Sequence, residues 1–279
     1  MGEVLTIKIV FIFSILISSG ITGFLPMIFP AFHSNKNFLS YGNCFAAGIF
    51  IIVGLAGLLP DAQESFDESM SKSMPISFVL AAVGYMVIFF VENILFDHHH
   101  DSHNHLPSFD FNGDPLVNSE NDFPRRKASE ITPRTFVPAF ILTAALVVHS
   151  TFEGIAVGLL SSKSSVVTLS VAILIHNMPA AIALGIKMQG LKKWAYCTLM
   201  GVFVCTSPVS IMIGIFLSDL GLPALQGTFL SISAGTFLYI GCSEILPEEM
   251  EKHNNKLIKF GALALGCLPL GIFLLFVTE

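Results

Sequence analysis

The chain has 279 residues, 53% of them hydrophobic and only 12% charged, with a mean hydropathy of +0.74, whereas soluble domains carry roughly a quarter charged residues. That balance excludes an ordinary water-soluble domain and points to a polytopic membrane protein whose first partner is the lipid bilayer. The net charge of -6 is spread over short connections, with no basic stripe and no interleaved aromatics, so there is no footprint for nucleic acid.

At about 20 apolar residues per spanning helix, the sequence predicts eight spans, over 4–30, 38–60, 74–96, 135–160, 164–187, 192–218, 224–247 and 256–277. The first apolar run, TIKIVFIFSILISSGITGFLPMIFP, outlasts the core of a signal peptide and has no convincing cleavage site, so it is expected to remain as the first helix. Residues 1–96 then hold helices one to three, 135–188 hold helices four and five, and 189–279 hold helices six to eight. Between the third and fourth spans, residues 97–134 begin DHHHDSHNH and continue rich in Asn, Ser, Asp and Pro without helical periodicity. That composition predicts a disordered loop. Its His98, His99, His100, His103 and His105, with Asp97 and Asp101, suit weak metal binding without a defined cage.

Five cysteines, Cys44, Cys197, Cys205, Cys242 and Cys267, fall in or beside the spans with no CxxC pair. They read as small buried hydrophobes rather than a disulfide framework. Lys and Arg divide unevenly between the two sets of connections, eleven against three, which predicts that both termini lie outside the cytosol. The same rule puts the histidine loop on the cytosolic side. It leaves open whether the membrane is the plasma membrane or that of an organelle, and whether the chain forms a homodimer.

Two internal repeats organise the chain. HSTFEGIAVGLL from His149 aligns with HNMPAAIALGI from His176, pairing Ser150 with Asn177, Ala156 with Ala183 and Gly158 with Gly185, but setting Glu153 against Ala180. GIFIIVGLAGLLPD from Gly48 aligns with GTFLYIGCSEILPE from Gly235, pairing Phe50 with Phe237, Gly54 with Gly241 and Pro60 with Pro247. Pairing span four with five and two with seven predicts an all-α fold of eight transmembrane helices in a 3+2+3 arrangement of inverted repeats. Such repeats, with polar residues near the axis, are a signature of secondary transporters.

His149 and Glu153 are four residues apart and share one helix face, about 6 Å apart along the axis. His176 and Asn177 come at matching depth on the next helix. An ionisable residue in hydrocarbon is a functional hypothesis by default. For a lone pair, a His–Glu hydrogen bond joining two helices is the plainer reading. Two His, one Glu, Ser150 and Asn177 together favour a site for a borderline divalent ion, since imidazole and carboxylate are not the all-oxygen shell of calcium or magnesium. Pro179 removes an amide from the fifth helix. The small residues Gly154, Ala156, Gly158, Ala180, Ala181, Ala183 and Gly185 are expected to let helices four and five approach closely. Glu244 in span seven either lines an exit path or caps a helix near the interface, Glu92 reads as an interface charge, and Asp61 with the acidic segment AQESFDESM would attract cations at the outer mouth.

These motifs resemble the ZIP (Zrt-, Irt-like protein) family of divalent metal transporters. HSTFEGIAVG is similar to that family's fourth-span motif, HNMPAAIALG to its fifth-span motif, and GLLPD to the end of its second span, while a His-rich loop between spans three and four is typical. The resemblance implies eight helices, extracytoplasmic termini and movement of zinc or iron(II), as transported substrate rather than cofactor, towards the cytosol. It also implies a primary site of His149, Glu153 and His176, with Ser150 and Asn177 beside it. Two positions depart from the pattern: Ala180 stands where the family has a glutamate, and Gly57 where a histidine often precedes Leu-Leu-Pro. Loss of one bridging carboxylate predicts a single metal rather than a binuclear pair. Two other functions fit some of the residues: a membrane metal sensor that moves nothing, and an intramembrane metalloprotease, which lacks the HExxH helix of zinc hydrolases.

Overall fold

Long apolar runs leave the backbone no partner but itself, and in a bilayer that condition is met by helices. The computed structural model describes residues 2–29, 36–69, 74–92, 133–218, 223–252 and 255–277, and among them every element is a helix. In chain order these are α1 (Gly2–Ile28), α2 (Lys36–Ile52, a π-helical turn Val53–Leu58, then Leu59–Ser69), α3 (Ile76–Phe90) and α4 (Pro133–Leu159). They are followed by α5 (Lys163–Lys187), α6 (Lys193–Leu217), α7 (Pro223–Tyr239, a π-helical turn Ile240–Ile245, then Leu246–Glu251) and α8 (Lys256–Val277). Seven of the eight are long and apolar enough to cross a membrane, and α3 is a shorter apolar helix. The histidine loop lies outside the described residues.

Two spans run further than the sequence suggests. The acidic segment after Pro60 is helical to Ser69, burying Ala62, Ser65 and Phe66, and the chain after Pro247 is helical to Glu251, burying Glu249. Proline deprives the carbonyl four residues earlier of its donor. In both helices the wider π-helical turn falls immediately before the Leu-Pro pair, so the ladder changes register there and the helix continues instead of stopping. Several serines and threonines inside the spans hydrogen-bond the carbonyl one turn back, as Thr22 does to Ser18, Thr143 to Ala139 and Ser231 to Gly227, so these hydroxyls are not stranded in an apolar setting.

The tightest helix crossings depend on glycine. A Cβ at Gly48 of α2 would collide with the Leu263 carbonyl of α8, and one at Gly235 of α7 with the Ala81 carbonyl of α3. These two glycines are paired in the sequence repeat. Gly154, Gly158 and Gly185 do not serve a close α4–α5 crossing, which corrects the expectation above for these three. Gly154 and Gly158 pack on Ser210, Ile211 and Gly214 of α6, and Gly185 packs on Gly23 of α1 and Tyr196 of α6. The physical reason is angular: consecutive helical residues point about 100° apart, so the glycine face is turned away from the Glu153 face.

Polar ties fix both ends of the bundle. Lys8 of α1 is buried and donates to the Gly158 carbonyl of α4 at 2.6 Å. At the other end, Glu249 accepts hydrogen bonds from Ser40 and Asn43 of α2 at 2.6 and 2.7 Å and from Lys252 at 2.7 Å. Lys259 of α8 donates to the Glu249 and Lys252 carbonyls, and Lys187 of α5 pairs with Glu248 of α7. Burial works against the charge of Lys252, but the carboxylates of Glu249 and Glu248 outweigh it and raise its pKa above the usual lysine value. Of the cysteines only Cys44 is buried; Cys197, Cys205 and Cys242 are exposed on helix surfaces and Cys267 is intermediate, so the buried-hydrophobe reading holds for one of five.

Candidate metal centre

His149 and Glu153 project from one face of α4, and His176 projects from α5 towards them. Their exposures are 2%, 3% and 1%. Among the described residues they are the one group of three or more His, Cys, Asp or Glu whose ligand atoms converge, all within 4.8 Å of one another. Glu153 Oε2 lies 3.4 Å from His149 Nε2 and 3.2 Å from His176 Nε2. Two atoms each about 2.0–2.1 Å from a tetrahedral zinc would sit about 3.3 Å apart. The carboxylate oxygen therefore stands at ligand-shell spacing from each imidazole, and the three ligand atoms together lie within 4.8 Å of one another.

The hydrogen-bond inventory says what this cluster lacks. His149 Nδ1 is within 3.2 Å of the Ser233 carbonyl, 3.1 Å of Thr236 Oγ1 and 2.8 Å of Ser233 Oγ, all on α7. The Thr236 hydroxyl already donates to the Ser233 carbonyl at 2.7 Å, so its oxygen is left to accept. A carbonyl can only accept. These two acceptors are met by a proton on Nδ1, with the Ser233 hydroxyl able to accept beside them; in the neutral ring that tautomer leaves Nε2 as a lone pair facing a carboxylate oxygen. Two acceptors in contact are reconciled by a cation between them, a proton or a metal ion. His149 Nε2, Glu153 Oε1 and His176 Nδ1 have no hydrogen-bond partner and are sealed from solvent, a costly state for buried polar atoms that metal ligation would relieve at His149 Nε2.

Aromatic packing holds the rings. Phe237 of α7 stacks on His149 with centroids 3.4 Å apart, meets His176 edge-on at 4.9 Å, and stacks on Phe50 of α2 at 5.0 Å. Ser233, Thr236 and Phe237 are thus part of the centre although no metal-ligand motif names them. The available signal was the second sequence repeat, in which Ser233 and Thr236 replace Ala46 and Ile49. Ser150 is buried next to His149. Asn177 is buried too, but its amide donates to Ser19 of α1 at 2.9 Å, which ties α5 to α1.

The remaining predicted positions lie away from this cluster. Asp61, with Glu64 and Glu68, lines a cavity of about 670 Å³ that also takes in Ser161, Ser162, Ser164 and Thr168 around the α4–α5 connection. His176 is about two turns further along α5 than Leu169 on the cavity wall. Glu244 is half-buried at the opposite end. Its Oε2 is sealed from solvent and has no hydrogen-bond partner, while Glu92, Lys187 and Glu248 are its charged neighbours. Glu92 is engaged by the Tyr239 hydroxyl as well, more than an interface charge would need. His98, His99, His100, His103 and His105 lie outside the described residues.

A family model described as ZIP zinc transporter matches residues 5–279. The chain belongs to the ZIP zinc transporter family. It resembles zinc transporter ZIP1 of Danio rerio, with 27% identity over 95% of this chain and 96% of the relative. It also resembles zinc transporter ZIP1 of Homo sapiens, at 28% over 84% and 77%, and zinc transporter ZIP3 of Bos taurus, at 27% over 87% of each. Membership of ZIP, together with the apolar helices, makes this a multi-pass membrane protein of a metal-transporting family, and not an enzyme.

Proposed function

We propose that the chain carries zinc across a membrane into the cytosol through a single mid-membrane site made by His149, Glu153 and His176. The observation that carries this reading is the convergence of three buried ligand atoms within 4.8 Å of one another, with His149 Nε2 left without a hydrogen-bond partner. The relatives' names supply zinc as the cargo. Iron(II) accepts the same nitrogen and oxygen ligands and is the second substrate to test.

In this mechanism the acidic cavity around Asp61 concentrates cations at the extracytoplasmic face, where both termini also lie. The ion exchanges water for the two imidazoles and the carboxylate, then leaves past Glu244. Neither hydrolysis nor redox chemistry is involved. The protein's work is to replace the hydration shell on one side and give it back on the other. Alternating access would come from a 3+2+3 arrangement of inverted repeats. Support for that arrangement comes from the paired π-helical turns of α2 and α7 and from the paired glycine crossings, α2 on α8 and α7 on α3.

Ala180 limits the site to one metal, because it leaves α5 with no carboxylate to bridge a second ion. The test is zinc-65 and iron-55 uptake into proteoliposomes by the wild type and by the His149→Ala/Glu153→Ala double variant. Uptake of one isotope that disappears in the double variant is expected. A folded wild type that moves neither isotope would instead favour the metal-sensor reading.

A further inference from the structure

The two histidines of the centre receive very different support from the helices around them. His149 meets three oxygen atoms of α7 through Nδ1, and both residues that supply them, Ser233 and Thr236, are 0% exposed. The repeat that aligns α7 with α2 sets Ser233 against Ala46, Thr236 against Ile49 and Phe237 against Phe50. The aromatic residue is kept and both hydroxyls are lost. His176 Nδ1, correspondingly, has no partner.

We propose that Ser233 and Thr236 are positioning residues that hold the His149 ring with its proton on Nδ1, committing Nε2 to the transported metal. This deepens the zinc-site reading and rests on it. A ligating histidine whose second nitrogen donates to a fixed acceptor has its tautomer and ring orientation set before the metal arrives. Here three oxygens surround Nδ1, and the Thr236 proton is occupied on the Ser233 carbonyl, so Thr236 cannot reverse the hydrogen bond, while the Ser233 hydroxyl can turn to accept beside it. Phe237 clamps the ring plane from the same helix, at 3.4 Å between centroids. The metal ligand of α4 is therefore set by α7, and the centre has its full affinity only while these two helices stay in contact. His176 has no such partner and takes its final orientation from Glu153 and the metal.

The experiment uses the full-length chain in detergent, wild type, Ser233→Ala/Thr236→Val and Thr236→Ser. Two quantities are measured: zinc affinity by calorimetry, and the 15N signals of the metal-free imidazole rings, with His149 identified by its loss in His149→Gln. The wild type should show His149 protonated at Nδ1. The double variant removes both hydroxyl acceptors and leaves only the longer 3.2 Å contact to the Ser233 carbonyl, so it should shift that signal towards a mixture of tautomers and bind zinc about 10–100-fold more weakly, while Thr236→Ser, which keeps the oxygen, should stay within about 3-fold. A wild-type His149 protonated at Nε2 would overturn the proposal, as would a double variant with unchanged ring signals or unchanged affinity. A wild type that binds no zinc would contradict the metal-site reading, and the ring signals would still decide what Ser233 and Thr236 do.

Discussion

On α4, His149 is stacked on Phe237 at 3.4 Å and hydrogen-bonded through Nδ1 to α7, with Glu153 one turn away on its own helix. On α5, the aligned His176 meets Phe237 only edge-on, has no partner at Nδ1, and has Ala180 near the place where α4 has its carboxylate. One repeat frame thus gives a preorganised half-site and an adaptable one. The lesson is that repetition supplied a histidine on each of two helices, while the carboxylate and the hydrogen-bonded ring are both on one. A pair of identical half-sites would bring two carboxylates, more negative charge and a stronger hold, and a carrier must also release its ion.

Loss of the shared carboxylate should have the largest effect. Glu153→Gln removes the negative charge and one oxygen of the carboxylate common to both halves, and zinc-65 uptake is expected to fall at least about 100-fold, beyond the range of second-shell changes; measurable uptake near wild type would remove Glu153 from the site. Next, His149→Ala should weaken zinc binding about tenfold more than His176→Ala, because it discards the preorganised ligand. Calorimetry on the two variants checks this, and equal losses would break the comparison. Acidification should weaken zinc binding in the wild type: protons compete for imidazole nitrogens and for the carboxylate, and ligation requires all three groups deprotonated. Apparent affinity is expected to rise as pH rises, and calorimetry at several pH values reads it. The smallest expected change in affinity for the first zinc comes from Ala180→Glu, which gives α5 a carboxylate. Its effect should instead be on stoichiometry, from one zinc per chain towards two, read by metal analysis of the purified protein.

Much of this centre was legible in the sequence because a membrane span is a quiet background. A histidine and a glutamate four residues apart in an apolar run stand out, and the repeat of His149 at His176 locates the second helix. What stayed hidden was the support. Ser233 and Thr236 look like ordinary span hydroxyls, which usually bond back to their own helix, and only the geometry reveals that they face His149. The same holds for helix partners: Gly154, Gly158 and Gly185 announce close packing, but composition does not say against which helix, and it is α6 and α1 rather than each other. Pro60 and Pro247 read as span ends because proline usually stops a ladder; the π-helical turns before them let both helices continue.

The most direct test of the centre is the zinc K-edge absorption fine structure of the zinc-loaded protein, compared between the wild type and His149→Ala. The account predicts a shell of nitrogen and oxygen at about 2.0–2.1 Å, with two imidazole contributions in the wild type and one in the variant. A sulfur shell at about 2.3 Å, or the same two imidazoles after His149 is gone, would contradict it.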